Sequence, residues 1–99
     1  MTGRSLTVSA RAEAEIAAAA RWYERESAGL GAAFLEVLDQ TLQGIEEGPL
    51  RFTVVHRDVR RALLKRFPFG VFFRMRPRSI RVIAVVHLAR DPERWKRRS

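Results

Sequence analysis

The chain has 99 residues, with 19 Lys+Arg against 11 Asp+Glu and a formal net charge of +8. That length accommodates a single domain, residues 1–99, and its 46% hydrophobic content excludes a disordered polyelectrolyte. With no Cys and only two His, His56 and His87, a disulfide framework, a thiolate metal site, a Cys nucleophile and a His-rich zinc site are excluded, and no cofactor is expected.

No run of about 18 apolar residues is present, so no membrane span is expected. The first residues lack the apolar core of a secretory signal, and the chain reads as a soluble cytoplasmic domain. The charge is unevenly placed. Residues 1–50 hold 4 Arg against 8 acids, net −4, whereas residues 51–99 hold 15 basic residues against 3 acids, net +12. Such a basic half is expected to meet an anion, either nucleic acid or an acidic protein partner. Of the 19 basic residues 17 are Arg, the side chain suited to planar contacts with phosphate or carboxylate.

In chain order, residues 4–8 alternate polar and apolar and predict a short strand with Leu6 and Val8 on one face. Ser9 reads as an N-cap for an Ala-rich helix over residues 10–27, with Glu13 and Glu15 early, where the helix dipole favours negative charge. Ala12, Ile16, Ala19 and Tyr23 form its apolar stripe, with Trp22 beside it. Gly29-Leu30-Gly31 permits a tight reversal. A second helix over 31–47 follows, with Phe34, Leu35, Leu38, Leu42 and Ile45 on one stripe, ended by Gly48-Pro49.

After a loop carrying His56 the period changes to two. Residues 59–67 predict a strand with Val59, Arg61, Leu63, Lys65 and Phe67 on one face and Arg60, Ala62, Leu64 and Arg66 on the other. Either face can be the buried one. Residues 70–76 predict a strand with Val71, Phe73 and Met75 inward and Arg74 and Arg76 outward, and residues 80–87 a nearly apolar central strand. Asp91-Pro92 starts a final short turn that carries Trp95 among Arg94, Lys96, Arg97 and Arg98. The expected fold is α+β, in the order β-α-α-β-β-β, with a helical hairpin on one face of a small antiparallel sheet.

Strict alternation along 80–87 puts Arg81, Ile83, Val85 and His87 on one face. The helices would cover the other, leaving Arg81 and His87 at opposite ends of an open surface. If Arg61 and Lys65 share it, a basic cleft with one imidazole results. Arginines there would stabilise phosphate charge and the histidine would move a proton. Two bland alternatives stand beside this: His87 as a strand end that hydrogen-bonds the tail, and Trp95 as a pin for the C-terminal turn rather than a nucleic-acid contact.

Taken together, Trp22-Tyr23-Glu24, Gly29-Leu30-Gly31 with Phe34-Leu35, Val59-Arg60-Arg61-Ala62-Leu63-Leu64, Phe67-Pro68-Phe69 and Ile83 to His87 with Arg90-Asp91-Pro92 and Trp95 resemble the RelE/ParE superfamily of toxins from bacterial type II toxin–antitoxin systems. The resemblance spans about residues 4–98 and implies a growth inhibitor neutralised by a cognate antitoxin. That antitoxin would wrap an acidic or amphipathic C-terminal segment over the toxin in a hetero-oligomer. RelE-like members are ribosome-dependent mRNA endoribonucleases; by that resemblance Arg61, Arg81 and His87 are the catalytic candidates, with Lys65 in a basic role. ParE-like members, known also from plasmid stabilization, inhibit DNA gyrase without such residues. The chain lacks a Tyr after its last strand, where several ribonuclease members carry one, and His87-Leu88-Ala89-Arg90-Asp91 resembles the ParE-like pattern. The gyrase-directed alternative is therefore expected, with Arg60, Lys65, Arg66, Arg74, Arg90 and Trp95 as candidate binding residues.

Overall fold

The computed structural model describes residues 4–98. Strand β1 (Ser5–Val8) leads into helix α1 (Ala10–Glu26), helix α2 (Leu30–Glu47), and strands β2 (Thr53–His56), β3 (Val59–Leu63), β4 (Phe69–Met75) and β5 (Ser79–His87). A short 3-10 turn, Pro49–Arg51, follows α2, and another, Arg94–Arg98, ends the tail.

The two helices start and stop for local reasons. The Ser9 hydroxyl accepts from the Ala12 N–H at 3.1 Å and caps α1. Helix α2 has no side-chain cap of its own, since its N-cap is Gly29 at φ 88°. Glu24, in the last turn of α1, supplies one: its carboxylate accepts from the N–H groups of Gly29 and Gly31, both at 2.9 Å. Those two backbone hydrogen bonds hold the Glu24 carboxyl below its ordinary value. Gly31 is required by the hairpin, because a Cβ there would lie 2.5 Å from the Ala20 carbonyl oxygen.

The sheet order is β1-β5-β4-β3-β2. The α+β class and element order are as the sequence implies, with three corrections to the sheet. Strand β1 pairs parallel with β5, so the sheet is mixed rather than antiparallel. The segment read as a loop around His56 forms a fifth, edge strand, β2, joined to β3 by a tight turn at Arg57-Asp58. Strand β3 also stops at Leu63, short of residue 67. Beyond it Arg66 takes a positive φ of 69°, and the loop turns Leu64 and Phe67 into the core.

The helices cover one face of the sheet. Tyr23, Phe34, Phe67 and Phe69 form an aromatic cluster there, with Phe34 5.3 Å from Phe67 and 5.2 Å from Phe69, both edge-to-face. Ile45, Val71, Phe73, Ile80 and Val82 complete this side and are fully buried. The second face carries a smaller cluster of Val59, Phe72, Ile83, Ala84 and Val86 under Trp95. The Trp95 indole stacks on Phe72 at 4.4 Å and 13°, and its N–H donates to the Pro92 carbonyl at 2.8 Å.

A β-bulge decides which residues reach which face. Phe72 stands opposite Ala84 whereas Phe73 stands opposite Val82, so Ile83 is an extra residue in β5. Ile80 and Val82 before it, and Val85 after it, belong to the helix-side core, while Ile83, Ala84 and Val86 belong to the tail side. Every residue after the bulge is out of phase with strict alternation.

Candidate interaction site

Past Val8 the parallel partner of β5 ends, the last contact being the Ser9 N–H to the Val82 carbonyl at 3.0 Å. The exposed edge of β5 would leave unpaired backbone groups. Two side chains close it. The Glu15 carboxylate of α1 accepts from the Val85 N–H at 3.0 Å, and Arg98 of the tail donates to the Ile83 carbonyl at 3.0 Å. Arg98 and Glu15 pair in a fork, at 3.0 and 2.8 Å, each with 12% of its side chain exposed. Helix, sheet and tail are thus joined at one point.

Beside this clamp lies a groove of about 310 Å³ between α1 and the end of β5, with Trp22, Arg25, Phe69, His87 and Arg90 on its walls. Trp22 is 39% exposed. The Arg90 guanidinium lies 5.5 Å from the Trp22 ring, a cation–π contact. His87 packs edge-on to Phe69 at 5.3 Å, and its Nδ1 accepts from the N–H groups of Ala89 and Arg90 at 3.1 and 3.2 Å. Burial lowers the His87 pKa and the nearby Arg90 charge adds to this, against a smaller opposing pull from Asp91. With Nδ1 an acceptor, the ring is held as the neutral tautomer with its proton on Nε2. An indole between two cationic arms suits a side chain that is part apolar and part acidic.

The sequence candidates do not converge. The bulge places His87 on the helix side, whereas Arg81, between Ile80 and Val82, faces the tail side; the expectation that both share a face is corrected. Arg81 is exposed and donates to the Thr7 hydroxyl at 3.2 Å. Arg61 stands opposite Phe72 on the tail side, half-buried, and its buried Nε finds no hydrogen-bond partner among the described residues. Lys65 has left the strand altogether and rims a separate groove of about 190 Å³ near Val37, Phe52 and Leu63.

The binding candidates are dispersed as well. Arg60 points to the helix side, where it donates to the Phe52 carbonyl at 2.8 Å. Arg66 sits in the loop with its guanidinium 5.4 Å from the Phe67 ring. Arg74 pairs with Asp58 at 3.3 Å, and Arg76 shares the same carboxylate at 3.2 Å. Burial alone would raise the Asp58 carboxyl, but the Arg76 hydrogen bond and the Arg74 charge outweigh it and hold it below its ordinary value. Trp95 is buried as the tail's pin, with His56 edge-on to it at 5.7 Å.

Sequence reasoning missed Glu15 and Arg98. The sequence places Glu15 early in α1 for the helix dipole, yet Glu15 also falls between Ala12 and Ala19 at helical spacing, inside the apolar stripe. An acid within such a stripe signals a buried partner. Nothing in the basic tail distinguishes Arg98 from its neighbours. Among the described residues no three His, Asp or Glu side chains gather as a metal site, and no helix is long and apolar enough to cross a membrane.

No curated protein sequence gives a significant match. A solved structure, "Chromosomal ParDE TA system from P. aeruginosa", superposes with a TM-score of 0.78 at 16% identity, covering 88% of this chain and 98% of that one. At that identity the likeness is one of fold. The family model for the ParE toxin of the type II toxin–antitoxin system, parDE, matches residues 6–92. The chain therefore belongs to the ParE toxin family of type II toxin–antitoxin systems.

Proposed function

We propose that this protein is a growth-inhibiting toxin that acts in the cytoplasm by binding DNA gyrase, without catalysis of its own, and that a cognate antitoxin neutralises it. The observation that carries the non-catalytic reading is the separation of Arg61 and Arg81 from His87 by the sheet itself. A ribonuclease centre needs its cations and its proton donor around one phosphate. Here the imidazole is on the wrong face and its Nδ1 is engaged by two backbone N–H groups. Family membership supports gyrase as the target, and the resemblance to ParE-like members around His87 to Asp91 supports it further.

Neutralisation by an antitoxin is supported by the charge split and by the apolar surface left open. The half-chain charge of +12 would draw an acidic segment to this side of the molecule. Exposed Trp22, Leu63 and Val54 offer the apolar anchors such a segment needs. The test is a supercoiling assay with purified gyrase and purified toxin. Inhibition, with accumulation of cleaved DNA, is expected, and it should disappear when the antitoxin is added. Unchanged supercoiling would overturn the gyrase reading. Cleavage of ribosome-bound mRNA that is lost in His87→Gln would establish the ribonuclease alternative instead.

A further inference from the structure

We infer that the outer face of the β4–β5 hairpin binds the sugar–phosphate backbone of duplex DNA through Arg74, Arg76, Arg78 and Arg81. Strand register places Thr7, Arg81, Arg74 and Val59 in one row across four strands, so Arg74 and Arg81 stand directly opposite each other on the tail side. Like charges in that relation destabilise a sheet. Arg76 lies two residues beyond Arg74 on the same face, and Arg78 is exposed in the turn that joins the strands. Asp58 is the carboxylate that reaches this cluster, and Arg74 and Arg76 share it. Among the described residues, Arg81 donates only to the neutral Thr7 hydroxyl. Four guanidiniums against one carboxylate leave a concentrated positive ridge that an external anion would relieve.

The composition of the ridge selects the kind of anion. A protein partner needs an apolar centre within its interface. Among the described residues the exposed large apolar side chains are Trp22, Leu35, Leu50, Val54 and Leu63, and none belongs to the hairpin end. A surface of Arg alone, on a rigid two-stranded element, matches the polar and strongly positive character of contacts to nucleic-acid backbone. The tail packs Trp95 over Phe72, further along the sheet, and leaves Arg76, Arg78 and Arg81 exposed. The ridge is therefore separate from the groove at Trp22 and from the clamp at Glu15, so DNA and an acidic protein segment can be held at once.

The experiment is fluorescence anisotropy of a labelled 20-base-pair duplex of arbitrary sequence, titrated with the intact protein over a range of salt. Arg74→Gln/Arg81→Gln is compared with Arg11→Gln/Arg21→Gln, which removes the same charge from exposed positions of α1. The hairpin variant is expected to lose about tenfold in affinity and about 1.8 in the slope of log K against log salt, as two phosphate contacts would carry. The helix variant should change little. Arg78→Glu, which changes an exposed side chain of the turn, gives a second reading if the double variant is poorly folded; its expected loss is also about tenfold. Equal losses in hairpin and helix variants, no duplex binding by the wild type, or displacement of the duplex by poly-glutamate at equal charge would each overturn the proposal. The assay contains no gyrase, so its outcome is independent of the target proposed above.

Discussion

The two faces of the sheet are built on different physics. The helix side is an interlocked aromatic and aliphatic core, drawn from both helices and from one face of β4 and β5, in which Phe34 touches Tyr23, Phe67 and Phe69 at once. Its contacts are distributed, and no single hydrogen bond organises it. The tail side is a thin cluster under one indole, held in place by a forked ion pair at its edge. Apolar cores of the first kind fail cooperatively, whereas a short segment held by one ring and one ion pair can undock alone. The stability of the domain therefore resides with the helices, and the tail is the part free to respond to a partner.

The sharpest way to break this contrast is Phe34→Ala. A cavity in the middle of the aromatic cluster is expected to cost about 3–5 kcal/mol, a large part of the stability of a domain this size. Urea denaturation should show a much earlier midpoint in a single transition. Trp95→Ala removes an even larger side chain, yet undocking of the tail caps the loss at about 2–3 kcal/mol. Hydrogen exchange should show faster opening near Val85, with β4 amides still protected. If β4 opens equally, the two faces form one cooperative unit and the contrast fails.

Arg98→Ala tests the clamp itself. Glu15 keeps the Val85 N–H and a looser contact to Arg94 at 3.5 Å, so the loss should be about 1–2 kcal/mol. It should be read as increased proteolysis after Arg94 rather than as global unfolding. The smallest effect expected is that of pH at His87. Folding holds this imidazole below the value of 6.5 it has when unfolded. Its contribution is thus complete above about pH 6.5 and is lost as pH falls below it, because the unfolded chain then takes up the proton first. His87→Gln should flatten the change in urea midpoint between pH 7.5 and 5.5; an unchanged slope would assign that change to other groups.

Much of this was legible in the sequence. Helical periodicity located α1 and α2 to within about a residue, because their apolar stripes are long and their ends carry Ser9 and Gly48. The runs at 70–76 and 80–87 became β4 and β5 with similar boundaries. The parallel pairing of β1 was hidden, since it joins residues more than 70 positions apart and nothing local encodes it. Strand β2 was hidden by being short and at an edge, where Val54 is exposed and no alternation survives. For the candidate site, the residue types were visible but their convergence was not. Charge counts identified the arginines, whereas the assignment of His87 to a face depended on one extra residue at Ile83 that alternation does not reveal.

That extra residue acts as a phase slip between two halves of one strand. Upstream of it β5 keeps step with β1 and presents Arg81 outward; downstream it keeps step with α1 and presents His87 to the groove. Transfer of roles from a relative whose last strand runs without a slip is therefore in register only as far as Val82. From Ala84 onward each position corresponds to the opposite surface of the relative. A one-residue deletion at Ile83 would erase the slip yet leave the imidazole where it is, since the pairings of Phe72 with Ala84 and of Phe69 with His87 would be kept.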